Sequence, residues 1–191
     1  MENKNNFLYE FATLKKVNAV LSLMCTFLII VHGLYDSIWM FCRGKMPLLP
    51  ATIPLFLMLL VVLHAILCIV SAVVWGKNKK NKNEKFYRKE NFKTIIQRAS
   101  GMLMLLLLVF HVIGMNNHLN NRIFHSIIHP IFFLVVYVHI IISFSKAFIT
   151  LGIGNAKSIK IINIIICFVC ILLFIFSVIG LYSVMYGSWQ G

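Results

Sequence analysis

Four histidines stand where histidine is expensive. His32, His64, His111 and His139 each lie inside a long apolar run, one to a run, while His118, His125 and His129 cluster in the segment NNHLNNRIFHSIIHP. An imidazole in hydrocarbon is costly unless it turns inward and meets a partner, so an intramembrane histidine signals function. One alone can be satisfied by a neighbouring carbonyl; four, spaced one to a run, ask for shared chemistry. Two imidazoles facing each other from different helices supply both axial ligands of a low-spin b-type haem. Helical bundles build cofactor sites from such inward-pointing side chains. Gly33, Ala65, Ser71 and Gly114 lie near these histidines, and small residues there leave room for a flat macrocycle or for close helix packing.

The runs that must hold these side chains cover residues 17–41, 53–75, 95–115, 123–150 and 159–186. Each is long enough to cross a hydrocarbon core of about 30 Å at 1.5 Å per residue. The prediction is an all-α integral membrane protein, one domain over residues 1–191, with five transmembrane helices of which the first four form the cofactor-binding bundle. Composition agrees: 60% of the 191 residues are hydrophobic, and five acids face eighteen Lys and Arg. The net charge of +13 sits in the gaps between runs, nine basic residues falling in 77–98. Nucleic-acid binders instead spread such charge over a folded face among polar and aromatic residues, so no nucleic-acid partner is expected. Fifteen of the eighteen basic residues fall on the side of the N-terminus. The positive-inside rule then predicts a cell-membrane protein with its N-terminus in the cytoplasm and its C-terminus outside.

Smaller signals fill in the plan. No small-residue cleavage site follows the first run, which predicts a retained first helix. Pro47, Pro50 and Pro54 mark the start of the second run, and Pro130 is expected near the start of the fourth helix, where it is tolerated. Cys25, Cys42, Cys68, Cys167 and Cys170 form no paired framework, and the Cys167–Cys170 CxxC lacks the following His of covalent haem attachment. His118, His125 and His129 are expected at the watery edge. His125 and His129, spaced i, i+4, have metal-ligand spacing, but solvated interface residues are the expectation.

Depth pairs the four buried histidines. His32 and His111 each lie about fifteen residues from the cytoplasmic end of their runs, level with each other in the outer half. His64 and His139 enter from outside and lie about a dozen and sixteen residues in, closer to the cytoplasm. Helix I is thereby paired with III, and II with IV.

These residues resemble a known family. The stretch from His64 to His111, LHAILCIVSAVVWGKN…FYRKENFKTIIQRASGMLMLLLLVFHVIG, is similar to the cytochrome b subunit of succinate dehydrogenases and fumarate reductases, in its five-helix, two-haem, menaquinone-using form. The matching features are HA in the second span, Gln97, Arg98, Ser100 and Gly101 opening the third, and His111–Val112 within it. His139, with Gly152 thirteen residues on, fits the fourth span, and Lys15 and Lys16 precede His32 as a basic pair in the first. Some members carry an acid two positions before the fourth ligand; this chain has Tyr137 there, so no carboxylate relay is expected along that helix.

The resemblance implies two haem b, with His32 and His111 ligating the outer one and His64 and His139 the inner. It implies menaquinone as the membrane substrate, and a flavoprotein and an iron–sulfur subunit docked on the cytoplasmic face. The chain is then the quinone-reactive membrane subunit and has no dicarboxylate site of its own. Arg98 and Ser100, at the cytoplasmic mouth of the third helix, suit a haem propionate, which a guanidinium binds bidentately. Asp36, one turn outside His32, is the one acid outside the cytoplasmic segments and is expected to handle protons at an outer quinone site. The alternatives are a dihaem subunit of a nitrate reductase or hydrogenase, and a haem-free anchor or transporter.

Overall fold

A computed structural model describes the backbone of residues 2–42, 50, 52–78, 88–116 and 122–187, with side chains at 11–42, 50, 52–73, 92–113 and 126–183. Among these residues the regular structure is five helices: α1 (Glu2–Phe41), α2 (Thr52–Asn78), α3 (Arg88–Asn116), α4 (Arg122–Leu151) and α5 (Ala156–Gly187). Arg43, Lys45, His118 and residues 79–87 of the basic stretch lie outside the described residues. His125 lies in α4 with its side chain outside them.

All five helices contain a segment long and apolar enough to cross a membrane, from 22 residues in α2 to 31 in α1. A helix satisfies its own backbone hydrogen bonds, which hydrocarbon cannot do for it. The surface confirms the solvent: Phe27, Ile69, Met102, Ile164 and Phe168 all point outward, Met102 being 74% exposed. Side chains of this kind would be costly in water and cost nothing against lipid tails. The chain is a multi-pass membrane protein.

Two helices organise the rest. α4 packs on α1, α3 and α5, while α1 packs on α2, α4 and α5. Contacts fix the directions. Ser37 of α1 meets Ser177 of α5, and a Cβ on Gly180 would stand 3.2 Å from Met40 Cβ, so these two run parallel. Tyr137 meets Ser177 and Tyr182 reaches Ser126, so α4 and α5 run antiparallel. The turn between them is tight because Gly152 takes φ +71°, which L side chains avoid. Gly152 N–H then donates to Ile149 O at 3.1 Å and Ile153 N–H to Phe148 O at 3.0 Å, closing α4 in a Schellman motif. Asn155 caps α5 by accepting from Ser158 N–H at 2.8 Å.

Pro130 sits differently from the expectation. α4 begins at Arg122, so this proline is in the helix interior, where it leaves the Ser126 carbonyl without its usual donor. Tyr182 of α5 donates to that carbonyl at 3.2 Å. The proline is tolerated because a neighbouring helix supplies the missing bond.

Candidate functional site

Ser100 of α3 lies against one member of the inner pair. Its hydroxyl donates to Gln97 O at 3.1 Å within α3 and lies 3.0 Å from His139 Nδ1. Since that proton is already spent, the hydroxyl oxygen accepts from Nδ1–H, which leaves the lone pair of His139 on Nε2. Gly101 makes the approach possible, because a Cβ there would come within 3.2 Å of His139 Cε1. His64 is held in the same way from the other side: Asn18 Oδ1 of α1 lies 2.8 Å from His64 Nδ1. Cys68, one turn along α2, places its sulfur 3.7 Å from His64 Nε2, a weak contact, and receives the Asn18 amide at 3.3 Å.

Both imidazoles are therefore anchored through Nδ1, and His64 Nε2 lies against the Cys68 sulfur. They line a common crevice of about 20 Å³, room for about one water molecule, to which Thr26 of α1 and Met104 of α3 also contribute. One cleft thus draws on all four of the first helices. Its donors suit a bis-imidazole haem: two neutral nitrogens, each with its tautomer fixed by the bond the other nitrogen makes. The space is far smaller than a haem.

Lys146, two turns from His139, donates to Gln97 Oε1 at 2.7 Å and to Thr94 Oγ1 at 3.3 Å. Arg98 is exposed beside them. Ser100 itself is committed to the imidazole, which assigns it a place beside the His139 ring rather than at the mouth.

The outer histidines are arranged otherwise. His32 Nε2 pairs with Asp36 Oδ2 at 3.2 Å, as their i, i+4 spacing requires, and His32 Nδ1 is buried. Gly33, next in sequence, packs so closely on α4 that a Cβ would stand 3.0 Å from Tyr137 Oη. Tyr137 Oη reaches Ser177 Oγ at 3.5 Å, and Ser177 meets Ser37 at 3.1 Å, so a buried hydroxyl chain joins α1, α4 and α5 beneath His32. His111 meets α4 elsewhere: its ring lies 5.0 Å from that of His129 and 4.9 Å from that of Phe132. With α4 as the ruler, Tyr137 is five and eight residues from these partners. At 1.5 Å per residue His32 and His111 are staggered by about 8–12 Å rather than level.

His129 was expected at the watery edge and is instead 3% exposed. It is a fifth intramembrane histidine among the described residues, placed two turns inside α4 because that helix starts at Arg122. Asn18 was also missed; an amide inside an apolar run was the available signal. The cysteines behave as expected, Cys170 being fully buried and all five free.

Comparison with known proteins finds no family model, no curated relative and no solved structure that matches this chain. The functional reading therefore rests on the residues, their geometry and the motif resemblance.

Proposed function

We propose that this chain is the dihaem cytochrome b anchor of a succinate:quinone oxidoreductase, carrying electrons between a cytoplasmic iron–sulfur subunit and menaquinone. The observation that carries the reading is the convergence of His64 and His139 on one cleft, each anchored through Nδ1 by a residue of another helix. A packing histidine needs no such second anchor facing a second imidazole. Haem bound at such a pair supplies one-electron transfer across the apolar core.

The chain's own residues hold and orient. His64 and His139 ligate the inner haem, Asn18 and Ser100 fix their rings, and Arg98 binds a propionate at the mouth of α3. His32 and His111 ligate the outer haem, on the strength of the resemblance. His32 and His111 would hold it only after His32 is released from Asp36. Asp36, facing His32, then exchanges protons with a quinone whose reduction takes up two of them. The flavin, the clusters and the dicarboxylate belong to partner subunits on the basic, N-terminal side.

Ligand substitution tests the pairing. His64→Ala and His139→Ala should each remove the same haem and leave the other's low-spin signal intact. Retention of two low-spin haems in either variant would remove that residue from the ligand set.

A further inference from the structure

The end of the bundle that carries the N-terminus is ringed with cations. Among the described side chains all seven Lys and Arg lie there: Lys15 and Lys16 of α1, Lys93 and Arg98 of α3, Lys146 of α4, and Lys157 and Lys160 of α5. The one described acid, Asp36, lies toward the other end of α1. Six of the seven cations are exposed and Lys146 is half-buried. α3 and α5 each pack on α4 and hardly on each other, so the charges stand on separate flanks rather than on one face. Their levels are close. Ser37 faces Ser177 and Met40 faces Gly180, an offset of 140 residues that brings Lys16 level with the first turn of α5. Lys146 in turn is level with Thr94 and Gln97 of α3, which it bonds, and so with Lys93 and Arg98 beside them.

Each flank is also apolar just where its charge stands. Val17 and Val20 follow Lys16, Phe92 and Ile95 bracket Lys93, and Ile161 and Ile164 follow Lys160, all of them pointing outward. A cation at such a boundary lays its stem along hydrocarbon and keeps its head among the lipid headgroups. Lys15 does so over an aromatic ring, its Nζ 4.4 Å from the centre of Phe11.

We propose that this collar binds the headgroups of anionic phospholipids, with Lys157 and Lys160 of α5 among its contacts. A docking protein meets the end of a bundle with one face, whereas a shell of lipid meets every flank at one depth. Cations spread over separate flanks, each at the start of the lipid-facing surface, match the shell. Basic residues beside a membrane span attract anionic lipid by charge, and salt screens that attraction. α5 supplies no proposed haem ligand, so the collar goes beyond the electron-transfer reading and does not rest on it.

The test is electron paramagnetic resonance of spin-labelled lipids around the purified, full-length protein in vesicles of phosphatidylglycerol and phosphatidylcholine. Wild type should hold phosphatidylglycerol in its motionally restricted shell severalfold over phosphatidylcholine at low salt, with less preference at high salt. Lys157→Gln with Lys160→Gln should lower that preference, and adding Lys16→Gln and Lys93→Gln should nearly abolish it. Arginine at the same four positions should retain it, which separates loss of charge from damage to the fold. Equal association of the two lipids with wild type would overturn the proposal, as would an undiminished preference in the fourfold glutamine variant. If that variant kept its lipid shell but no longer co-purified with an acidic protein, the collar would be a protein-docking surface instead. The measurement reads lipid and not haem, so a haem-free wild type that still selects phosphatidylglycerol would refute the electron-transfer reading and support this one.

Discussion

At the residue scale, a ring nitrogen is given its role by what the other nitrogen touches. Ser100 and Asn18 each hold an Nδ1, at 3.0 and 2.8 Å, and so present Nε2 of His139 and His64 to the cleft. Losing such an anchor typically weakens a metal site on the order of ten- to a hundredfold. Ser100→Ala and Asn18→Leu are expected to lower inner-haem occupancy by that order in haem titrations while the outer haem stays bound. Unchanged occupancy in both would make these contacts incidental. Asp36→Asn, with haem content intact, is expected to slow quinone-linked turnover on the order of a hundredfold, the scale of a single acid–base group. Turnover equal to wild type across pH would leave Asp36 as the partner of His32 and nothing more. The four span histidines were legible in the sequence because ionisable groups in apolar runs are rare. Asn18 was not singled out, because its partner lies 46 residues away and only the packing of α1 on α2 joins them.

At the element scale, helices and their order could be read directly, but register could not. Counting residues from span ends puts His32 level with His111; the contacts of Gly33 with Tyr137 and of His111 with His129 stagger them. The difference arises because helices extend beyond the apolar runs by unequal lengths, so a run's end is a poor origin for depth. α4 begins only one residue before its apolar run, so what buries His129 is its packing against His111 of α3, which no count along one run can show. Tyr182→Phe removes the donor that serves the Ser126 carbonyl and is expected to cost about 1 kcal/mol in reversible detergent unfolding. A variant as stable as wild type would show that another group satisfies that carbonyl. Gly101 is an element-scale residue as well, since it sets how near α3 comes to His139. Gly101→Leu should abolish the inner haem without unfolding the chain, and full inner-haem binding would show that the ring has room to move.

At the scale of the whole molecule, the features most easily read were the ones lipid imposes: five long apolar helices and, among the described residues, a largely apolar outer surface. The one-sided distribution of Lys and Arg belongs to the same physics, and it underlies the proposed orientation with partners on the N-terminal side. What the sequence could not show is how four helices share one cleft, because that follows from α1 and α4 each packing on three others. The central claim is that this cleft exists to hold haem between His64 and His139. It is tested most directly by the reduced-minus-oxidised absorption spectrum and extractable haem content of the purified full-length protein, with His64→Ala beside it. The account predicts two non-covalent haem b per chain, a sharp α band on reduction, and one haem fewer in the variant. A folded wild-type protein with no α band, or a variant with both haems undiminished, would contradict it.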